Sequence, residues 1–372
     1  MLTARLPEAL RFNGDALANL FKAQTPPMIG VDISSSSVKM VELVSAGRGR
    51  YRLERYAIEA LPKDAVVDGN VMNLEAVGET LRRGWKRMGT RVKNVAMALP
   101  SAQVITKKIL VPAGLREEDL EVQVESEANQ YIPFALEEVN LDFQVLGPSA
   151  TNPEEMEVLI AASRKEKVED RVACAEVSGL KAVVMDIDSF AAQNAFEVIQ
   201  TALPGGGKDQ VIALVDIGAS LMNINVLRNN QSVYMREQPF GGNQLTQEIQ
   251  RHYNLSLEEA EAAKRGGGLP ETYEAEVVQP FMETLASEVT RALQFFFTST
   301  QYTAVHHIFL SGGCATLPGL DDVVARRTNV TTHIANPFSA IEISPKIKSR
   351  QLDQDAPALV VACGLALRRF DQ

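Results

Sequence analysis

An aspartate, a run of serines and a lysine form the first stretch of the sequence that could bind a ligand. Asp32 ends a hydrophobic segment, serines occupy positions 34–37, and Lys39 follows seven residues after the aspartate. Small residues in a tight turn expose backbone N–H groups and hydroxyls, which suit phosphate oxygens. The carboxylate can hold Mg²⁺ through water, because Mg²⁺ usually keeps several waters. Taken alone, a serine-rich turn is more often only a turn.

The same chemistry recurs in the second half of the chain. Asp216 is followed by Gly218, Ala219 and Ser220, and the glycine allows a close approach to the backbone. Further on, Gly312 and Gly313 follow Ser311 at the end of a predicted strand and remove side chains where a flat ring or a ribose must lie against the backbone. Each element is a weak signal by itself, and the three in this order are a stronger one.

The elements that must position these residues are two similar β-meanders. Alternating apolar residues and turn residues predict strands over 28–33, 38–44, 51–59, 210–216, 223–228 and 232–239. Asp32 and Asp216 end the first strand of each meander. The repeat predicts duplicated α/β domains, each of which directs one carboxylate and one small-residue turn into a shared cleft.

Helical periodicity and short strands fill the remainder of the chain. We expect helices over 74–88, 242–253, 257–265, 273–299, 319–328 and 356–369, and strands over 94–98 and 308–311.

Between the two meanders the sequence predicts an insert over residues 105–184, read as strand, helix, strand, strand, helix, strand. Its first helix, 116–131, has a strongly acidic face and an opposite, apolar face that carries Leu120, Val124, Ala128 and Tyr131. Such acids suit a docking surface for a partner that carries a basic residue. A solvated helix face explains them equally well. The residues assigned to the docking surface are Glu117, Glu118, Glu121 and Tyr131.

Composition excludes several function classes. The chain has 372 residues and a net charge of −10, which argues against a nucleic-acid footprint. Three scattered cysteines and four histidines offer no pattern of zinc or haem ligands. The longest apolar run, 356–367, is too short to span a membrane. Residues 1–21 lack the apolar core of a signal peptide and are read as a frayed tail or a short amphipathic helix.

The motifs together resemble those of the PilM family of type IV pilus assembly proteins, actin-like relatives of the division protein FtsA. The resemblance covers nearly everything from Met28 to Arg369. Its most specific stretches are Gly30-Val31-Asp32-Ile33-Ser34-Ser35 with Ser37-Val38-Lys39, Glu125–Phe134, Asp216-Ile217-Gly218-Ala219-Ser220, Gly241-Gly242 and Ser311-Gly312-Gly313.

The resemblance implies an actin-like (ribonuclease H-like) two-domain α/β fold with an FtsA-type 1C insert subdomain. The expected divisions are an N-terminal extension over 1–27, subdomain 1A over 28–104, 185–209 and 345–372, subdomain 1C over 105–184, subdomain 2A over 210–241 and 300–344, and subdomain 2B over 242–299.

The resemblance also implies ATP and Mg²⁺ as cofactors, with Asp32 and Asp216 holding the metal through water. The residues expected at the nucleotide are Asp32, Ser34, Ser35 and Lys39 at the first phosphate site, Asp216, Gly218, Ala219 and Ser220 at the second, Gly312 and Gly313 by the adenosine, and Gly242, Glu248 and Lys264 on the helices beside it. For Glu248 and Lys264, a surface-charge role explains the residue nearly as well. Ser34 departs from the superfamily's Asp-x-Gly turn, which weakens the case for fast hydrolysis more than the case for binding.

Hydrolysis requires an acid or amide that orients water. Asp188 opens a helix where relatives carry that group, and it serves equally well as an N-cap. We therefore expect nucleotide binding with at most weak ATPase activity.

The implied function is that of an assembly protein peripheral to the cytoplasmic face of the bacterial inner membrane. Its implied partners are the cytoplasmic tail peptide of PilN, the pilus motor ATPases and other proteins of the inner-membrane alignment complex, with self-association a further possibility. Two alternatives stay open at this point: an FtsA-like filament-forming division protein, which would carry a C-terminal amphipathic membrane helix, and a small-metabolite kinase, which would carry a polar substrate pocket.

Overall fold

The computed structural model describes residues 26–47, 49–149 and 152–371. The predicted tail or amphipathic helix at the N-terminus lies outside these residues. None of the helices that they form combines the length and the hydrophobicity of a membrane span.

The described residues form strands and helices in alternation. The strands are β1 (Ile29–Ile33), β2 (Ser37–Gly47), β3 (Arg50–Ala60), β4 (Val66–Val67), β5 (Asn70–Val71), β6 (Asn94–Leu99), β7 (Ile105–Pro112), β8 (Val139–Pro148), β9 (Glu155–Arg164), β10 (Lys181–Ile187), β11 (Val211–Ile217), β12 (Met222–Arg228), β13 (Gln231–Gln238), β14 (His307–Ser311), β15 (Thr331–Ile334) and β16 (Glu342–Ile343). The helices are α1 (Leu74–Met88), α2 (Glu117–Tyr131), α3 (Lys165–Ser178), α4 (Asp188–Ile199), α5 (Gly242–Tyr253), α6 (Leu257–Gly266), α7 (Gln279–Ser299), α8 (Leu320–Thr328), α9 (Ser349–Asp355) and α10 (Val360–Leu367).

The chain divides into two compact units. The first comprises the described part of Met1–Val44 together with Arg55–Ala191 and Ala362–Gln372, and the second comprises Ser45–Glu54 and Ala192–Val361. The predicted division into four subdomains stays a prediction.

The main sheet of the first unit has the strand order β10-β6-β1-β2-β3. Strand β1 lies at its centre, antiparallel to β2 and parallel to β6. Its sequence IGVDI is apolar except at Asp32, as expected for a strand that is covered on both faces. Asn73 accepts a hydrogen bond from the Ala76 N–H and begins α1, and Gly89 ends this helix in the left-handed conformation.

A second, separate sheet in the first unit contains the strands β7-β9-β8, and α2 packs against one of its faces. This sheet ends at Arg164. The following strand, β10, pairs in parallel with β6 of the main sheet. The last strand of the predicted insert therefore joins the main sheet, which its sequence does not indicate, since an apolar strand carries no mark of the sheet it will join. The insert boundary at residue 184 stays a prediction.

The second unit repeats the main sheet of the first. Its order is β13-β12-β11-β14-β15, with β11 antiparallel to β12 and parallel to β14. In each case the first strand of a meander lies between its hairpin partner and a later parallel strand. The short strand β16 pairs with Arg52 and Leu53 of β3.

The end of the chain fixes β1 from one side. A Cβ on Gly30 would lie 2.0 Å from the carbonyl oxygen of Ala362 and 2.4 Å from the nitrogen of Ala366. A Cβ on Gly364 would lie 1.7 Å from the carbonyl oxygen of Ala191. Only glycine allows backbone segments this close, so α10 sets the position of the strand that carries Asp32.

Candidate functional site

The first predicted phosphate turn is a tight hairpin between β1 and β2. Ile33 and Val38 form the last pair of the ladder. Beyond them, both the N–H and the hydroxyl of Ser34 donate to the carbonyl of Ser37, each at 3.0 Å. This leaves Ser35 and Ser36 at the tip. Among the described residues, neither the N–H nor the hydroxyl of Ser35 has a hydrogen-bond partner.

Serine fits at position 34 without strain. Ser34 is absent from the described residues that have positive φ, the region in which a glycine would be required. The departure from Asp-x-Gly that the sequence shows at this turn is thus accommodated by the backbone.

Asp32 and Lys39 form an ion pair across the hairpin. They are register partners in the ladder, and the Lys39 Nζ lies 2.8 Å from Asp32 Oδ2. Both side chains are largely buried. The sequence places Lys39 at the phosphates, whereas in this structure its ammonium group neutralises the carboxylate that is expected to hold the metal.

The second predicted turn has the same register as the first. Ile217 and Met222 form the last ladder pair, and the Gly218 N–H donates to the carbonyl of Leu221 at 2.9 Å. Ala219 and Ser220 therefore occupy the tip, as Ser35 and Ser36 do in the first turn. Asp216 faces Asn223 in the ladder, where Asp32 faces Lys39.

Asp216 is held by a residue to which sequence reasoning gave no role. The Ser311 hydroxyl donates to Asp216 Oδ1 at 3.1 Å, and the two residues are register partners on β14 and β11. The pairing of two strands that lie about ninety residues apart cannot be derived from their patterns alone. The one sequence feature that could have pointed to Ser311 is its position directly before Gly312 and Gly313.

The start of α5 is attached to the second turn. The N–H groups of Gly242 and Asn243 donate to the carbonyls of Gly218 and Ala219, at 3.0 and 2.8 Å. A Cβ on Gly241 would lie 2.5 Å from the Gly218 oxygen. We expected this helix terminus to face the nucleotide, but its first two N–H groups are taken by the turn. Gly242 acts on the site by holding the turn.

Lys264 and Glu248, the two helix residues predicted near ribose and base, differ in environment. The Lys264 ammonium group is half-buried and contacts the Gly242 carbonyl at 3.1 Å, the Thr246 hydroxyl at 2.8 Å and Glu261 at 3.1 Å. Glu248 is exposed and pairs with Arg251 at 2.8 Å. Lys264 thus lies beside the second turn, and Glu248 has the contacts of a surface ion pair.

The two glycines after β14 differ in the space around them: a side chain would clash at Gly312 and would meet no atoms at Gly313. Gly312 has φ = 85°, and a Cβ there would lie 2.4 Å from the Ile217 oxygen. Gly313 is exposed, and a Cβ there would meet nothing within 4 Å. Next to them, Cys314 contacts the Gly218 carbonyl at 3.5 Å, and burial raises the pKa of its thiol to about 11. The open space over Gly313 is where a ring or ribose would fit.

Asp188, the candidate for orienting water, is engaged with its neighbours. Its Oδ1 accepts from the Ser101 N–H at 3.0 Å, from the Ser101 hydroxyl and from the Ser189 N–H at 2.6 Å. Ser101 is the second residue after β6, the place that Gly313 takes after β14. These bonds tie the first residue of α4 to the end of the neighbouring strand.

The residues predicted to bind a partner do not form one cluster. Glu117 and Glu118 are exposed at the start of α2, whereas Tyr131 ends the helix fourteen residues later, about 21 Å away. Tyr131 was expected on the apolar face, but its side chain is 45% exposed and Lys107 lies 4.9 Å from its ring centre. Glu121 is half-buried between these ends.

The donor set suits a metal that is held mainly by phosphate and water. Within the described residues, no group of three or more histidines, cysteines and acids is placed to hold an ion. Single carboxylates at the turns, such as Asp32 and Asp216, match Mg²⁺ in nucleotide sites, where one or two carboxylates and the phosphates suffice.

Alanine should destabilise the protein strongly at Gly312 and hardly at all at Gly313. Gly312→Ala combines positive φ with a backbone clash and should lower the unfolding free energy by at least about 2 kcal/mol. Gly313→Ala should change it by less than about 0.5 kcal/mol. Thermal denaturation followed by circular dichroism measures both, and equal melting temperatures for the two variants would contradict the geometry.

Comparison with known proteins agrees with this geometry. A family model described as "Type IV pilus assembly protein PilM" matches residues 30–370. The cell division protein FtsA of Enterococcus hirae is 23% identical over 364 residues, an alignment covering 84% of this chain and 79% of that protein.

Solved structures give the same result. A chain of a "PilM-PilN type IV pilus biogenesis complex" matches with a TM-score of 0.78 and 30% identity, covering 94% of this chain and all of that one. The ethanolamine utilization protein EutJ of Carboxydothermus hydrogenoformans matches at TM-score 0.54 and 17% identity, over 92% of this chain and 89% of its own. The predicted actin-like α/β fold is confirmed, and the chain belongs to the PilM family of actin-like type IV pilus assembly proteins.

Proposed function

We propose that this protein binds ATP–Mg²⁺ through its small-residue turns and uses the loaded state to assemble with a membrane partner of the pilus machinery. The observation that carries the nucleotide part is the shared register of the turns. In both sheets an aspartate is the penultimate residue of the central strand, and the turn behind it is closed by one N–H···O bond of 2.9–3.0 Å. Each copy thus combines a carboxylate that can hold metal-bound water with a small-residue turn that suits phosphate oxygens.

Each turn offers groups that suit phosphate. The first presents the N–H and hydroxyl of Ser35, for which no partner exists among the described residues. The second presents Ser220, whose hydroxyl also accepts from the Asn243 side chain at 3.0 Å. Bound Mg²⁺ would neutralise phosphate charge, with Asp32 and Asp216 holding its waters. Lys39 would then exchange its contact with Asp32 for one with phosphate oxygens.

The adenosine would lie over Gly313, with Lys264 beside it. The Lys264 side chain is 24% exposed, so its ammonium group can exchange one of its present contacts for a ligand. Turnover is expected to be slow at most, because Asp188 Oδ1 already accepts three hydrogen bonds. ATP therefore acts mainly as a bound ligand and not as a substrate that is hydrolysed rapidly.

The proposed partner is the cytoplasmic tail of PilN. Support comes from a chain of a "PilM-PilN type IV pilus biogenesis complex", which this chain resembles at 30% identity over 94% of its length. A basic tail peptide suits the sheet β7-β9-β8 with α2, where Glu117 and Glu118 are exposed. Capture of a membrane-anchored tail would hold the protein at the inner face of the membrane, next to the pilus motor ATPases.

A competing explanation for the acids is helix stabilisation. Glu117, Glu118 and Asp119 occupy the first turn of α2, which has no side-chain N-cap. Negative charges at a helix N-terminus are favourable by about 0.3–1 kcal/mol each. The two explanations differ in what charge reversal does to peptide capture.

Removing either aspartate should abolish nucleotide binding. Asp32→Ala and Asp216→Ala each delete a carboxylate that holds metal-bound water, so ATP–Mg²⁺ affinity should fall at least about 100-fold, or ~2.7 kcal/mol. Isothermal titration calorimetry measures this, and circular dichroism should show an unchanged fold. Asp353→Ala, an exposed acid on α9, is the matched control. Wild-type affinity in either site variant would refute the proposed arrangement.

Charge reversal on α2 should weaken binding of the PilN tail peptide. The triple variant Glu117→Lys, Glu118→Lys, Glu121→Lys should reduce affinity for a fluorescent PilN tail peptide about tenfold, since each exposed charge pair contributes up to about 1 kcal/mol. Fluorescence anisotropy reads the affinity. A triple reversal at the exposed acids Glu258, Glu271 and Glu274 should leave it unchanged. If both triple variants bind alike, the acids of α2 only stabilise their helix.

A further inference from the structure

A buried arginine lies behind the first phosphate turn. Arg171, on α3, is only 2% exposed. Its Nη1 donates to the Ile33 carbonyl at 3.2 Å, and its Nη2 donates to the Gly69 carbonyl at 2.9 Å. Within residues 26–47, 49–149 and 152–371 it takes part in no ion pair, so two neutral carbonyl groups are its hydrogen-bond partners.

Burying the positive charge of Arg171 costs free energy. Buried charges are normally paired, because the interior solvates them far less well than water does. Burial lowers the pKa of Arg171, and the charges of Cys174, Asp32, Asp188 and Asp170 oppose that shift. An apolar residue of similar length would fill the same space without this cost. The guanidinium therefore needs a reason beyond packing.

Both carbonyls that Arg171 holds belong to segments around the site. Ile33 lies between Asp32 and Ser34, at the point where β1 becomes the turn. Gly69 lies in the β4–β5 turn, and a Cβ there would be 2.6 Å from Pro100 Cγ. Pro100 directly precedes Ser101, which holds Asp188. One side chain thus joins the phosphate turn to the segment that fixes the candidate water-orienting acid.

We propose that Arg171 is a positioning residue for the first phosphate-binding turn: its guanidinium fixes the Ile33 carbonyl from behind and places a buried positive charge opposite the triphosphate. The inference rests on the proposed nucleotide site. In a low-dielectric interior a fixed cation acts over several ångströms, so it favours an anion bound on the far side of the turn. AMP lacks the β- and γ-phosphates, so its binding should depend less on this charge.

Four proteins test this: wild type, Arg171→Met, Arg171→Lys and the control Val168→Ala. Methionine fills the space without charge, whereas lysine keeps the charge but cannot donate in the same fork. Val168 is a buried residue on the same helix, 4% exposed, and lies in the apolar core of the first unit. Dissociation constants for ATP–Mg²⁺ and for AMP are measured by calorimetry, alongside melting temperatures.

Arg171→Met should weaken ATP–Mg²⁺ at least 20-fold and AMP less than threefold. The ATP–Mg²⁺ affinity of Arg171→Lys should lie between those of Arg171→Met and wild type. Val168→Ala should lower the melting temperature and leave both affinities within twofold, which separates positioning from general destabilisation.

Three results overturn the inference. They are an Arg171→Met protein that binds ATP within threefold of wild type, an equal loss for ATP and AMP, and a Val168→Ala protein that reproduces the loss. If Arg171→Met does not fold, Arg171→Lys decides: unchanged ATP affinity refutes the inference, and a loss confined to ATP supports it. A wild-type protein that binds no ATP refutes the proposed function itself, and with it the premise.

Discussion

The structure depends on one repeated backbone arrangement: an aspartate at the end of a buried central strand, followed by a two-residue turn closed by a single hydrogen bond. This arrangement needs a strand supported on both sides. Parallel pairing with β6 and β14 and antiparallel pairing with β2 and β12 supply that support. With both edges paired, the only free direction for the chain is past the end of the sheet, where Asp32 and Asp216 lie.

The two copies are alike in register and different in electrostatics. Lys39 neutralises Asp32 through an ion pair of 2.8 Å, whereas Asp216 has the neutral hydroxyl of Ser311 at 3.1 Å. The first turn is closed by serine side chains as well as backbone, and the second is braced by the N–H groups that begin α5. Under the proposed function the Lys39–Asp32 ion pair of the first copy would have to rearrange for a triphosphate, whereas the second turn is additionally held by the N–H groups of α5.

Much of the fold could be predicted because its signals are local. Helix α1 spans Leu74–Met88, the predicted residues, since Asn73 and Gly89 mark its ends. The hairpins after Asp32 and Asp216 were also predicted, because small residues between apolar strands specify a turn. Which sheet β10 joins could not be predicted, since its apolar pattern would be the same in either sheet.

Contacts across long sequence separations account for what the sequence left out of the site. Arg171 reads as one more basic residue on an amphipathic helix, and only the fold shows it buried against Ile33 and Gly69. Ser311 and Ser101 hold Asp216 and Asp188 through pairings that span about ninety residues. Tyr131 matched the apolar stripe of α2 and is nevertheless 45% exposed, with Lys107 Nζ 4.9 Å from its ring centre.

The most direct test of the proposed nucleotide site is a crystal structure with a non-hydrolysable ATP analogue and Mn²⁺ in place of Mg²⁺. Anomalous scattering locates the metal without reference to the protein. The account predicts a manganese ion at the triphosphate, about 4 Å through bound water from the carboxylate of Asp32 or of Asp216. A manganese ion near neither carboxylate, or a nucleotide bound away from both small-residue turns, would contradict it.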